Sequence, residues 1–192
     1  IAGSTRKGEN SSVYKAFCTI RREFPKARLI IAPRYIYQAD LIRDEGLNHK
    51  VSMVKRSDMK AGKIVSPSYD GVILDTIGDL GRVYSLGDLI FVGGSLAHIG
   101  GHNILEPAAH GKPIVVGPNM FNFVEIFDLL SRRGACAMVR NETEFISTCL
   151  DILVHKKRAE QMMRSCIEVV QENQGATKKN LEELQRLLNE LY

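Results

Sequence analysis

Short, β-branched apolar runs alternate along this chain with longer segments whose apolar residues recur at helical spacing. The runs Leu29 to Ala32, Val51 to Val54, Val72 to Leu74, Leu89 to Val92, Pro113 to Val116 and Ala135 to Val139 are continuous rather than alternating. That is the pattern of strands covered on both faces of a parallel sheet. Between them, Val13, Ala16, Phe17, Ile20 and Phe24 share one helical face, with Ser11 or Ser12 placed to cap it. A second stripe, Phe123, Ile126, Phe127 and Leu130, ends at Gly134, and Asn141 precedes a helix through Phe145, Cys149, Ile152 and Leu153. A last stripe, Leu181, Leu184, Leu188 and Leu191, suits packing onto the parent domain and is too short for a coiled coil. Strands alternating with helices predict βαβ units with right-handed crossovers. The expected class is α/β, a doubly wound, Rossmann-like, mostly parallel sheet with helices on both faces. One domain is expected over residues 1–192, with C-terminal helices from about residue 142.

The composition is that of an ordinary globular domain, 44% apolar and 25% charged, so a core can form without disulfide or metal staples. No run of about 18 apolar residues offers a membrane span. The four cysteines lie far apart, without a CxxC pair, and sit among apolar neighbours. They are expected to be buried, reduced thiols of a cytosolic protein. The five histidines lack HxxxH or HxH spacing, so no metal site is expected. A net charge of +4 is too modest to imply nucleic acid. Lys50, Lys55, Arg56, Lys60 and Lys63 do cluster, opposed only by Asp58; the stretch reads either as a solvated loop or as a contact for anionic headgroups or a phosphorylated substrate. The opening Ile1-Ala2-Gly3-Ser4-Thr5 reads as the end of a strand in a longer protein.

In an open parallel sheet, ligands bind outside the carboxyl ends of the strands, and three junctions there carry chemistry. The densest runs from Gly93 to Pro107, between the strand Leu89 to Val92 and a short helix of about Ile104 to His110. Its four glycines permit positive φ and close backbone approach, Asn103 is a good N-cap, and Glu106 stands where a capping-box acid would. Two readings stay open. One is a capped, glycine-rich turn; the other is a cradle whose amides take a phosphate while Glu106 accepts from ribose hydroxyls. Neither GxGxxG nor GxxxxGK[ST] is present. Pro33-Arg34 follows Leu29 to Ala32, placing a guanidinium where it could clamp a phosphate or carboxylate, or form a surface salt bridge. Asp75 to Leu80 follows Val72 to Leu74, and Gly78 there would admit a flat base or its ribose, or serve an ordinary strand-to-helix cap.

Gly3-Ser4-Thr5 with Gly8-Glu9, then Ala32-Pro33-Arg34, Asp75-Thr76-Ile77-Gly78-Asp79-Leu80, and above all GGSLAHIGGHNILEPAAHGKPIVVGP followed by Asn122-Phe123 resemble the transferases that place Kdo (3-deoxy-D-manno-octulosonic acid) on lipid A precursors in lipopolysaccharide biosynthesis. The resemblance covers residues 1 to about 135 in motif order and spacing. It implies a GT-B glycosyltransferase, inverting and metal-independent, with no cofactor, using CMP-Kdo as donor. It implies that this chain is the donor-binding C-terminal half. The lipid acceptor site and a glutamate general base would lie in an N-terminal domain outside it, so the chain alone would hold no catalytic residue and would not turn over. By motif match the CMP-contacting positions are Pro33, Arg34, Ile77, Gly78, Asp79, Asn103, Ile104, Leu105 and Glu106. The whole protein would work at the cytoplasmic face of the bacterial inner membrane. The segment Tyr35-Ile36-Tyr37-Gln38 departs from the family's His-Pro-Glu-Arg, and Ile77 and Asp79 replace a commoner Met and Glu. Competing readings are the donor lobe of another GT-B enzyme, such as a UDP-sugar transferase or epimerase, and a non-catalytic nucleotide-binding module.

Overall fold

A computed structural model describes residues 1–63, 68–174 and Arg186. The stripe from Leu181 to Leu191 lies outside the described residues. Seven strands are described: β1 Ala2–Thr5, β2 Leu29–Pro33, β3 Met53–Lys55, β4 Gly71–Ile73, β5 Ile90–Val92, β6 Ile114–Val116 and β7 Cys136–Met138. They form one sheet in the order β3-β4-β2-β1-β5-β6-β7, and every pairing is parallel. The opening residues, read from the sequence as the end of a strand, form the central strand of the sheet. The helices are α1 Asn10–Glu23, α2 Ala39–Asn48, α3 Arg56–Lys60, α4 Leu80–Val83, α5 Leu105–Ala109, α6 Val124–Arg132, α7 Glu142–Val154 and α8 Lys156–Glu172.

Alternate strand residues feed two separate cores, which is why the runs read as continuously apolar. Ala2, Ile31, Ile73, Phe91 and Val115 join Val13, Tyr14 and Phe17 of α1 with Phe145, Cys149 and Ile152 of α7. Their neighbours Ile90, Val92, Ile114 and Val116 point to the other face, against Ile104, Ala108, Leu130, Cys166 and Val169. A side-chain period of two on a sheet covered twice requires both sets to be apolar.

Cap chemistry agrees with the sequence at two ends. Asn141 Oδ1 accepts from the Glu144 amide at 2.9 Å, and Glu144 in turn accepts from the Arg140 amide at 2.9 Å. Gly134 follows α6 with φ +69, the left-handed stop of a helix. At α1 the sequence reading was wrong. The capping position is Glu9, while Ser12 lies inside the helix and donates to Glu142 at 2.7 Å and Ser11 pairs with His49 at 3.3 Å. The basic stretch is not a plain loop but β3 and α3 with their flanks, and three of its lysines are paired: Lys55 with Asp40, Lys60 with Asp79 and Lys63 with Asp58.

The cysteines are free, three of them buried and Cys18 half-buried. Burial pushes the thiols of Cys149 and Cys166 up to about 12, so both stay protonated. Among the described residues no helix is long and apolar enough to cross a membrane.

Candidate functional site

The chain leaves β1 towards β2 on one side, and β5 begins the other half of the sheet. The switch point therefore lies between β1 and β5, where an open α/β sheet leaves a crevice. Because all strands are parallel, the turns after β4, β2, β1 and β5 emerge side by side at one edge. The three junctions singled out from the sequence belong to this row.

The organiser of the edge is a residue to which the sequence assigned no role. Glu9, 1% exposed, places its carboxylate under the glycine-rich turn. Its Oε2 accepts from the amides of Arg6 at 2.8 Å and Gly94 at 2.9 Å. Its Oε1 accepts from Ser95, Leu96 and Ala97 at 3.1, 3.0 and 3.1 Å. Successive amides turned inward make a nest for an anion, and here the protein supplies its own. The amides at 94–97 are therefore not available to a phosphate, and the cradle reading rests on the amides at the start of α5. Gly93 is needed for this fit: a Cβ there would lie 2.7 Å from Glu9 Oε2 and 2.6 Å from Ser4 O. Pairing of Glu9 with residues 85 and more positions away leaves no local trace; only the Gly8-Glu9 of the motif hinted at it.

Pro33 ends β2 and is buried, whereas Arg34 is exposed and its amide donates to Thr5 O at 3.0 Å, tying the β2 turn to the β1 turn. Ile77 is 87% exposed, and Gly78 holds φ +87 with nothing within 4 Å of where a Cβ would stand, leaving an open shelf. Asp79 accepts from Thr76 Oγ1 at 2.6 Å and pairs with Lys60 at 3.4 Å. The Thr76 bond, then the Lys60 charge, holds its carboxyl below the usual range. Asn103 Oδ1 accepts from the Leu105 amide at 3.0 Å, one residue ahead of the formal cap at Ile104. Glu106 accepts from Asn103 Nδ2 at 3.3 Å rather than closing a capping box on a backbone amide. Ile104 is fully buried in the second core, so only its backbone could meet a ligand, while Leu105 and Glu106 are exposed.

The structure brings these positions together in two adjoining groups. Glu106 Oε2 lies 3.8 Å from where a Gly81 Cβ would stand, and His110 meets Gly81 O at 2.7 Å, so the 103–106 and 77–81 turns touch. Arg34 lies instead with Arg6 and His102: burial first, then these two guanidiniums, pushes the His102 imidazole down to about 4. Arg6 stacks over the Tyr35 ring at 4.8 Å. Residues 102 and 103 join the two groups. No set of three or more metal-ligating side chains occurs among the described residues.

A cavity of about 930 Å³ opens at the opposite, amino end of the strands, between Phe17, Phe24, Leu89, Phe145 and Met163. It is lined largely by apolar side chains and is remote from the carboxyl edge.

No family model matches the chain. The chain is 30% identical over 190 residues, 98% of its length, to the 3-deoxy-D-manno-octulosonic acid transferase of Haemophilus influenzae. It is 31% identical over 157 residues, 82% of its length, to the transferase of the same description from Aquifex aeolicus. It spans 42% of the length of each. The crystal structure of the C-terminal CMP-Kdo binding domain of WaaA from Acinetobacter baumannii superposes with a TM-score of 0.79 at 29% identity, covering 88% of this chain and 87% of that one. A seven-stranded parallel sheet of this order, with those relatives and that structural counterpart along nearly its whole length, places the chain in the Kdo transferase family as a domain of the GT-B type.

Proposed function

We propose that this domain binds CMP-Kdo, as the donor half of an enzyme that transfers Kdo to a lipid A precursor at the cytoplasmic face of the bacterial inner membrane. The observation that carries the reading is the contact between the 77–81 and 103–106 turns, which sets an exposed carboxylate beside an open backbone shelf. A carboxylate suits a vicinal diol, since it offers several lone pairs and no competing donor; Glu106 takes the ribose hydroxyls. Gly78 lets the base or its ribose come close, and the Lys60 pair orients Asp79 at the same rim. With the 94–97 amides occupied by Glu9, the phosphate charge falls to the amides at the start of α5 and to the Arg34 guanidinium, a planar donor suited to bidentate contact.

The reaction is then a direct displacement. The acceptor oxygen bonds to the anomeric carbon as the bond from that carbon to the phosphate oxygen breaks. CMP leaves with the electron pair, its charge stabilised by Arg34. The acceptor hydroxyl proton goes to a general base in a second domain. None of these steps requires a metal, and this domain's share is to bind, orient and stabilise the leaving group.

Calorimetric titration with CMP, UDP and AMP tests the reading. CMP is expected to bind best, and Glu106→Ala to weaken it by about 1–3 kcal/mol, the range for a lost hydrogen bond to a charged group. Preference for UDP would point to another GT-B donor lobe. Unchanged CMP affinity in Glu106→Ala would make the turn merely structural.

A further inference from the structure

Buried polar atoms without partners are rare in folded proteins, and each asks for an explanation. Among the described residues there are four such side-chain atoms: Thr5 Oγ1, Arg6 Nε, Asn10 Oδ1 and His102 Nε2. They are not scattered. Thr5, Arg6 and Asn10 line the turn from β1 into α1, and His102 packs against Gly94 at the end of β5. All four therefore collect at the β1/β5 switch point.

The group is poised for an anion. The Arg6 guanidinium lies over the Tyr35 ring at 4.8 Å, and the carboxylate that its amide reaches, Glu9, accepts from five amides. Neither Arg6 nor Arg34 has an ion pair among the described residues. The Arg6 Nε–H, the Thr5 hydroxyl and an Nε2–H tautomer of His102 are all donors, while Asn10 Oδ1 is an acceptor. Three donors suit an oxyanion, and the one acceptor suits a sugar hydroxyl farther round the ring. A CMP-linked ulosonic acid offers both, with its carboxylate on the anomeric carbon beside the phosphate. The Arg34 amide bond to Thr5 O at 3.0 Å sets the proposed phosphate clamp one strand away.

We propose that Arg6, with Thr5 and His102, forms a subsite for the sugar carboxylate of the donor, separate from the CMP contacts. The assignment rests on the donor reading above and adds to it what distinguishes an acidic sugar from a neutral one. Arg6 lies outside the motif-matched set, and Tyr35, which holds it, stands in the segment that departs from the family pattern.

The test is a ratio of affinities. The chain is titrated with CMP and with freshly made CMP-Kdo, as wild type, Arg6→Met and Arg6→Lys. Arg6→Met is expected to leave the CMP dissociation constant within about twofold and to raise that of CMP-Kdo about tenfold or more; Arg6→Lys should recover part of the loss. Retained CMP binding also shows that each variant is folded. If Arg6→Met does not fold, Arg6→Lys and His102→Gln decide on the same ratio. An equal loss for both ligands would assign Arg6 to the phosphate, and no loss would leave it structural; either overturns the proposal. Wild type that binds no CMP at all would overturn the donor reading itself, and this subsite with it.

Discussion

Replacing Glu9 should loosen the glycine-rich turn more than any other single change at this edge. Five amides converge on its carboxylate at 2.8 to 3.1 Å. Counted singly at ~1.5–3 kcal/mol for a bond to a charged acceptor, they would sum to about the whole stability of a domain. That sum overshoots, because five donors share roughly four lone-pair sites and the carboxylate was itself desolvated. Breaking a buried charged cluster by removing one partner costs ~3–5 kcal/mol, and that is the magnitude expected for Glu9→Ala. Glu9→Gln keeps one acceptor oxygen but turns an NH₂ towards either the Arg6 and Gly94 amides or the three amides at 95–97; about 2–3 kcal/mol is expected. At roughly 2–4 °C per kcal/mol for a chain of this size, Glu9→Gln should melt about 4–12 °C lower. Urea unfolding followed by circular dichroism measures the loss, with an unchanged slope showing that the exposed surface is the same. Hydrogen exchange should speed up at residues 94–97 and leave the α8 amides alone. A Glu9→Gln chain within 0.5 kcal/mol of wild type, with those four amides still protected, would refute the nest as the organiser of the edge.

Two further outcomes follow from the geometry. Asn141→Ala removes the cap oxygen that accepts from Glu144 at 2.9 Å and should cost about 1 kcal/mol, read as a melting shift of about 2–4 °C; no shift would mean that water caps α7 equally well. The His102 imidazole should titrate near 4 by NMR, because burial and two neighbouring guanidiniums favour its neutral form. The unfolded chain takes up that proton near 6.5, so the contribution of His102 to stability is full above that pH and declines as pH falls towards 4. His102→Gln should lose that part of the slope, and a measured value near 6.5 would place the ring in water.

Much of the fold was legible because it is written in local period. Continuous apolar runs located strands β2 to β7 within a residue or two, and Asn141 and Gly134 announced a helix start and a helix end through side-chain and backbone chemistry that needs no distant partner. The three turns of the candidate site were legible as well, since polar and glycine residues directly after an apolar run mark a strand end. Other features were hidden. Ser12 reads as a cap, but its hydroxyl goes to Glu142, 130 residues away. Lys60 reads as one charge in a basic run, but it pairs with Asp79 at the rim of the candidate site. Glu9 figures in the sequence only within the Gly8-Glu9 of the motif, with nothing to say that its carboxylate is buried.

Strand and helix identity, the doubly covered sheet and the edge on which the candidate turns lie were thus determined by the sequence alone, because each depends on residues within a turn or a strand of one another. The order that places β4 between β3 and β2, the owner of the glycine-loop amides, and the company of Arg6, Arg34 and His102 were decided only by the tertiary structure. The physical reason is that a hydrogen bond or a charge contact depends on distance in space, and the residues that meet at the β1/β5 crevice are separated by up to about a hundred positions along the chain.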